Sequence, residues 1–412
     1  GLTTAELGVA ALEDGDFDEA EEWFRQAAKH LDRANARFDA PWVRMASVVP
    51  VVAQHHAAVT DMSRAGADGA HTVVAALDTI DLDELRPRNG KFDLEALARL
   101  EGPLRDVRDA LVRIRGTAEA SRSGWLVERA TKELDDFTSS VDEHLPRIDN
   151  ALAAVRMAPR LLGADGPRTY LMLFTTPSES RALGGFVGSY AELHADGGQL
   201  SVGPVDRSKT LDTRVLAARA AVENHAEFLR LYGRYGFDGR AVGDAAFRNV
   251  AMTPHFPTVA DIAADLYAQT VGTEVAGVIA MDPFVTAQLL RYTGAVELPS
   301  LGIELDPFEA LDFLLREQYV LGVDDEQRAD GLGEAAKEAF DELLAGALPD
   351  PIELAQDLGP LASERRLLVW SADPEEQALL ERVGIAGAVP DHDGSDGWAF
   401  TITNAGGNKI DS

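Results

Sequence analysis

The 412-residue sequence contains no cysteine. That excludes disulfides, thiolate nucleophiles, Cys-ligated zinc and iron–sulfur clusters together, and it suits either side of a membrane. Basic residues are scarce: 38 Lys and Arg stand against 69 Asp and Glu, a formal charge of −31. A surface of that sign repels phosphate backbones, so no nucleic-acid partner is expected. Long apolar runs are missing too. The most apolar stretch, 43–53, contains Pro50 and falls short of the ~18 residues that a spanning helix needs. The nine histidines form no HxxxH or HxH pattern for zinc, and His55 and His56, being adjacent, diverge on a helix. No GxSxG elbow is present. What remains, 46% hydrophobic and 26% charged, is the composition of a folded protein with room for two domains. The chain opens on Gly1 rather than methionine, so an upstream segment, such as a signal or anchor helix, is expected.

Up to about residue 160 the pattern is helical. Gly15-Asp16-Phe17-Asp18-Glu19 reads as a helix start, with Asp16 capping the backbone and Glu19 reaching back to complete a capping box. Ala20, Phe24, Ala27, Ala28 and Leu31 then share one face. With Leu7, Ala11 and Leu12 before the turn they predict one tetratricopeptide-like hairpin; no second copy follows, so no solenoid is expected. Leu97, Leu100, Leu104, Val107, Leu111 and Ile114 form a heptad seam that Pro103 kinks or restarts. Leu134, Phe137, Val141, Leu145, Ile148, Leu152 and Val155 form a second seam. Long amphipathic helices of this kind pack antiparallel. The expected first domain is therefore an all-α bundle over 1–158, a stalk or a surface for protein partners.

Two prolines and two glycines between Pro159 and Pro167 end that pattern. The stretch 170–176 is a continuous apolar run of buried-strand type, and 188–194 and 199–205 alternate around Ala195-Asp196-Gly197-Gly198, a hairpin signal. Helices are predicted over 210–235, 259–270, 283–292, 306–319, 325–345 and 373–383, with strands at 275–281, 366–371 and 398–403. Strands alternating with helices make the expected second domain, 159–412, an αβα-layered α/β domain with a mixed central sheet. Charge follows the division. Residues 1–160 carry 20 basic and 29 acidic side chains, residues 301–412 carry 7 and 25, and residues 161–250 carry 10 and 10. A neutral, Arg-bearing island inside an acidic chain tolerates an anionic ligand; local salt bridging explains the same balance without one.

The densest motif is Glu179-Ser180-Arg181-Ala182-Leu183-Gly184-Gly185-Phe186-Val187-Gly188-Ser189-Tyr190, behind a buried strand, where sites form in α/β sheets. Its glycines let backbone approach a ligand, and Arg181 offers a fork for phosphate or carboxylate. It is neither a GxGxxG fingerprint nor a P-loop, and Gly184-Gly185 forming only the turn into the next strand is an equal alternative. Arg207 stands at the end of the predicted hairpin, which returns it toward Arg181, unless Asp206-Arg207 is merely a solvated strand end. Arg328 opens a predicted helix, where a cation is poorly matched to the dipole. Asp282-Pro283 is explained as an N-cap followed by proline at the first helical position. The acidic loop 391–397 reads as a solvated turn in preference to a calcium site.

Several phrases resemble an actinobacterial envelope family, the domain-of-unknown-function 4012 family. They are Leu161-Leu162-Gly163-Ala164-Asp165-Gly166-Pro167, the Arg181–Tyr190 segment, His255-Phe256-Pro257-Thr258, the 275–283 strand and cap, Val369-Trp370-Ser371-Ala372-Asp373-Pro374, and 404–411. The resemblance spans about 158–412 and implies an extracytoplasmic protein, membrane-anchored through an N-terminal helix ahead of Gly1. That family in turn is similar to the LytR-CpsA-Psr phosphotransferases, which move polyprenyl-pyrophosphate-linked glycans onto the cell wall. The similarity implies that Arg181, Arg207 and Arg328, with Arg316 and the amides of Gly184 and Gly185, hold a pyrophosphate or other anionic glycan group. If the protein is an enzyme, Glu179, two residues from Arg181 in sequence, is the expected base for an incoming hydroxyl. The relatives' magnesium-binding Asp two residues after the first Arg is Leu183 here, and their Pro-Arg-Asp is Asp206-Arg207-Ser208. A non-catalytic scaffold or binding protein on the same fold is the alternative, and a hydrolase using paired carboxylates a third.

Overall fold

Asp16 closes the turn between α1 (Leu2–Glu13) and α2 (Phe17–Phe38): its Oδ1 accepts from the Glu19 amide at 2.9 Å. The other half of the expected capping box does not form, because the Glu19 carboxylate accepts instead from Trp23 Nε1, one turn on. Ala20, Phe24, Ala27 and Ala28 are buried along one face of α2, as their spacing dictates. The computed structural model from which this geometry comes describes residues 2–38, 40, 50–122, 128–236, 246–321, 325–349, 351–389 and 400–403. Phe24, Ala27 and Ala28 pack with Ala70 of α3 (Pro50–Leu77). The short α4 (Leu94–Arg99) stops before Leu100, and α5 (Glu101–Ala120) restarts with Pro103 in its first turn, where a missing N–H costs nothing. The second seam lies on one continuous helix, α6 (Glu128–Leu161), whose Val141 and Leu145 share a core with Ile114 of α5.

The first 160 residues are not helical throughout. After a 3-10 turn at Leu82–Leu85, Arg88 and Lys91 pair across Asn89-Gly90, both at positive φ, a two-residue hairpin of the Asn-Gly kind. This excursion belongs with the sheet that follows. The chain divides into one compact unit of residues 1–82 and 95–158, and another of residues 83–94 and 159–412.

The second unit is an α/β domain built on a mixed sheet. Its strands are β1 (Arg168–Thr176), β2 (Phe186–Asp196), β3 (Gln199–Val202), β4 (Asp206–Arg207), β5 (Gly277–Met281) and β8 (Leu367–Ser371), in the order β3-β2-β1-β5-β8 with β4 on β2. β1 and β5 run parallel; the other pairs are antiparallel. β6 (Val296–Leu298) and β7 (Ile303–Leu305) form a separate ribbon. Alternation sends Leu171, Leu173, Val278 and Ala280 to one face. There they pack with α7 (Ser208–Ala218), α8 (Ala226–Tyr232), the 3-10 helix Phe247–Met252 and α9 (Phe256–Val271). Met172, Phe174, Ile279 and Met281 point to the other, against α10 (Pro283–Thr293) and side chains from 340–361. Helices therefore cover both sheet faces.

Several predicted spans differ from those found. The helix expected over 210–235 is two helices, because Arg219 takes a left-handed conformation that ends α7. The one expected over 306–319 shrinks to α11 (Ala310–Leu315) and a 3-10 turn, since Asp306 caps a turn at the Phe308 amide. The strand predicted over 199–205 stops at Val202, and the chain re-enters the sheet as β4. Of the strand predicted over 398–403, residues 400–403 are not in a strand and the others lie outside the described residues. The acidic loop 391–397 and the 404–411 phrase lie outside them as well. α12 (Asp325–Glu342) and α14 (Pro374–Arg382) fall where expected, whereas α13 (Pro351–Ser363) was not anticipated.

Candidate functional site

The parallel pair β1–β5 ends at Thr176 and Met281, and beyond those ends lies a cavity of about 200 Å³. β1 contributes Phe174, Thr175 and Thr176 to its wall; β2 contributes Phe186, Gly188 and Ser189. The start of α10 adds Asp282, Pro283 and Thr286, and the turn after α11 adds Gln318 and Tyr319. The loop after β1 adds Glu179, and α12 adds Ala336. The place follows from the topology, because loops leave the carboxyl ends of parallel strands and diverge there.

β2 reaches the cavity through a bulge. Phe174 pairs with Ser189 but Thr175 with Val187, so Gly188 is the extra residue, and Val187 and Tyr190 both face the same core. Ser208, buried at the start of α7, donates to the carbonyls of Val187 and Gly188 at 2.6 and 2.9 Å and holds the bulge open.

The expected site residues are only partly brought together. Glu179 lines the cavity, and its carboxylate lies 3.8 Å from the Arg181 guanidinium. Arg181 itself is 8% exposed and is turned into the protein. Its Nε donates to Asn249 Oδ1 at 3.1 Å, Nη1 donates to the Ser180 carbonyl at 3.1 Å, and Cζ sits 5.6 Å from the Phe186 ring centroid. Burial pulls its pKa down, opposed by the Glu179 charge. Asp212 grips the neighbouring residues of the same 3-10 helix, accepting from the Phe247 amide at 2.7 Å and from Arg248. Residues 247, 248 and 249 are thus each tied down, and Arg181 is the clasp that fastens the glycine-rich loop to them.

Both glycines of Gly184-Gly185 are accounted for by the turn into β2. Gly184 has φ +126° and its amide donates to the Arg181 carbonyl at 2.9 Å. A Cβ on Gly185 would collide with the Thr176 carbonyl. Arg207 is half-buried on β4, paired with Ser189, but is not part of the cavity wall. Arg316 is exposed and lies 3.5 Å from Asp312. Arg328 stands in α12, its side chain outside the described residues. Leu183 is buried in the apolar core, so a magnesium ion has no donor there. The residues at that place do not fit one, and among the described residues no cluster of three or more His, Asp or Glu is arranged to hold a metal.

Two cavity residues carry information that spacing did not. Asp282 Oδ1 caps α10 at the amides of Phe284 and Val285, 2.9 and 3.4 Å away, while Oδ2 accepts from Arg366 at 2.9 Å. Burial raises its pKa and Arg366 opposes the rise. So engaged, Asp282 is not a spare partner for Glu179 in a two-carboxylate hydrolysis. Gln318 is 2% exposed; its Nε2 donates to the Leu314 carbonyl, and its Oε1 has no partner among the described residues. Nothing in Glu317-Gln318-Tyr319 as a sequence singles it out.

Residues 165–319 match the family described as Protein of unknown function (DUF4012), so this stretch of the α/β unit is a domain of that family. The match runs from the turn before β1 to the 3-10 turn Glu317–Tyr319 and supplies every cavity-lining residue except Ala336. No curated protein and no solved structure matches the chain.

Proposed function

We propose that this DUF4012 domain is an extracytoplasmic glycan-binding module of the cell envelope. Its ligand is a glycan carrying a polyprenyl pyrophosphate or another anionic group, held beyond the carboxyl ends of β1 and β5. The observation that carries this reading is the loop from Glu179 to Phe186: it borders a cavity at the sheet's switch point and lies in the one long segment of neutral charge in a −31 chain. Arg207 on β4, with Arg316 and Arg328 farther along, supplies cations for the phosphates outside the cavity. Arg181 acts through the loop it fastens.

Transfer chemistry of the LytR-CpsA-Psr kind at this site has a defined step. An acceptor hydroxyl oxygen bonds to the sugar-side phosphorus, and the bridging P–O bond breaks. Polyprenyl monophosphate leaves, and Glu179 takes the hydroxyl proton. The second reading is a domain that binds and does not transfer. It is favoured by Leu183, which fills with hydrocarbon the place of the relatives' carboxylate, and by the engagement of Arg181 with Asn249 and the Ser180 carbonyl.

Thermal unfolding with farnesyl pyrophosphate, with and without magnesium, tests the binding. At ~100 times its dissociation constant the ligand should add ~2.7 kcal/mol of stability, a shift of several degrees. Arg207→Ala, at a half-buried strand end, should weaken that shift. No shift at saturation in a protein that melts cooperatively removes the pyrophosphate from the proposal. Release of farnesyl phosphate by wild type but not by Glu179→Gln separates transfer from binding alone.

A further inference from the structure

We infer that the cavity beyond β1 and β5 recognises a neutral sugar ring, one of whose hydroxyls donates to Gln318 Oε1; the inference rests on the glycan reading above and specifies which part of the ligand enters the protein. Four observations converge. Gln318 is 2% exposed, and among the described residues its Oε1 is an orphaned acceptor. The amide's orientation follows from its other end, since a carbonyl oxygen can only accept and the atom facing the Leu314 carbonyl is therefore the Nε2 donor. Buried acceptors without partners are rare in native proteins and mark a missing donor.

The cavity wall is also of the wrong sign for phosphate. It contains the carboxylates of Glu179 and Asp282 and the hydroxyls of Thr175, Ser189 and Thr286, and among the described residues no Lys, Arg or His lines it. Hydroxyl donors of an uncharged polyol satisfy such a wall, whereas a pyrophosphate would face the Glu179 charge without a cation inside. The third observation is size. A volume near 200 Å³ equals about seven waters at ~30 Å³ each, room for a single pyranose with its hydroxyls and too little for an isoprenoid chain. Finally, Phe174 and Phe186 line the same space and give it apolar surface for the C–H side of a sugar. The phosphates of a linked ligand then stay outside, on the Arg207 side of β2.

Saturation-transfer NMR with glucose, galactose and N-acetylglucosamine as probes, and inorganic pyrophosphate as competitor, tests this. Two variants accompany wild type: Gln318→Met removes the acceptor, and Ala336→Leu fills the cavity from α12. At least one sugar should bind wild type saturably, bind both variants at least tenfold more weakly, and resist displacement by pyrophosphate. Sugar binding unchanged in either variant that melts cooperatively overturns the inference. So does pyrophosphate that displaces the sugar, or farnesyl pyrophosphate that stabilises a protein binding no sugar; in that last case the pyrophosphate proposal stands while this one falls. Sugar binding without any response to farnesyl pyrophosphate supports the inference and defeats the lipid-linked reading.

Discussion

Asp212 illustrates how a single buried carboxylate organises the layer next to the site. It is almost fully buried on α7 and joins the Phe247 amide to Arg248; burial raises its pKa, while the Arg248 pair and the amides oppose the rise. A carboxylate whose folded pKa is raised contributes stability that is complete below the unfolded value of ~3.9 and is lost as pH climbs through the folded one. Wild type should therefore be more stable relative to Asp212→Asn at pH 4 than at pH 7, as urea unfolding of both proteins across that range will measure. A difference that grows toward neutrality would mean that the Arg248 pair outweighs burial. At this scale the sequence was informative where the chemistry is local. Glu179 and Arg181 stood out because a glycine-rich loop behind a buried strand is a local pattern. That Arg181 turns inward to Asn249, 68 positions away, depends on where the 3-10 helix docks. Gln318 was invisible for the same reason, since an acceptor is orphaned only by its three-dimensional surroundings.

At the scale of elements, legibility followed burial pattern and capping. β1, β5 and β8 were readable as buried strands, and α10 as an Asp-Pro start whose carboxylate does accept the next amides. β4 has two residues and β6 and β7 three each, too short for alternation to register. The Arg88–Lys91 hairpin carried a readable Asn-Gly signal that the surrounding helices obscured. It matters because the segment docks on the edge of the sheet: Leu200 donates to the Gly90 carbonyl at 2.8 Å and Phe92 donates to the Gly198 carbonyl at 2.9 Å. Gly198 makes the approach possible, with φ +89° and no room for a Cβ, which would lie 2.5 Å from the Phe92 carbonyl. Gly198→Ala should cost about 2 kcal/mol through backbone strain and displaced packing. Amide exchange at Leu200 and Phe92 should accelerate more than at β5, and equal acceleration everywhere would rule out a local effect.

For the whole molecule, the consequence is that the chain passes between its two units three times, after residues 82, 94 and 158. A fragment of 159–412 alone carries β3 as a bare edge, its backbone groups facing water where Gly90 and Phe92 had paired them. A synthetic peptide of residues 83–94 should therefore raise the melting temperature of that fragment in a saturable way, and a scrambled peptide should not. No effect of the native peptide would assign the segment a passive role. That fragment carries 19 basic and 40 acidic side chains, an excess of negative charge that keeps it soluble enough for the measurement.

The docked hairpin also bears on how a chain like this is inherited. Recombination that joins a new partner at residue 158 would deliver a sheet lacking its edge and a helical unit carrying a twelve-residue loop with nothing to cover. Only exchanges that move both pieces leave each unit whole. The helical unit and the sheet are therefore inherited as a single genetic block, because the sheet's edge hairpin is encoded inside the gene segment of its neighbour.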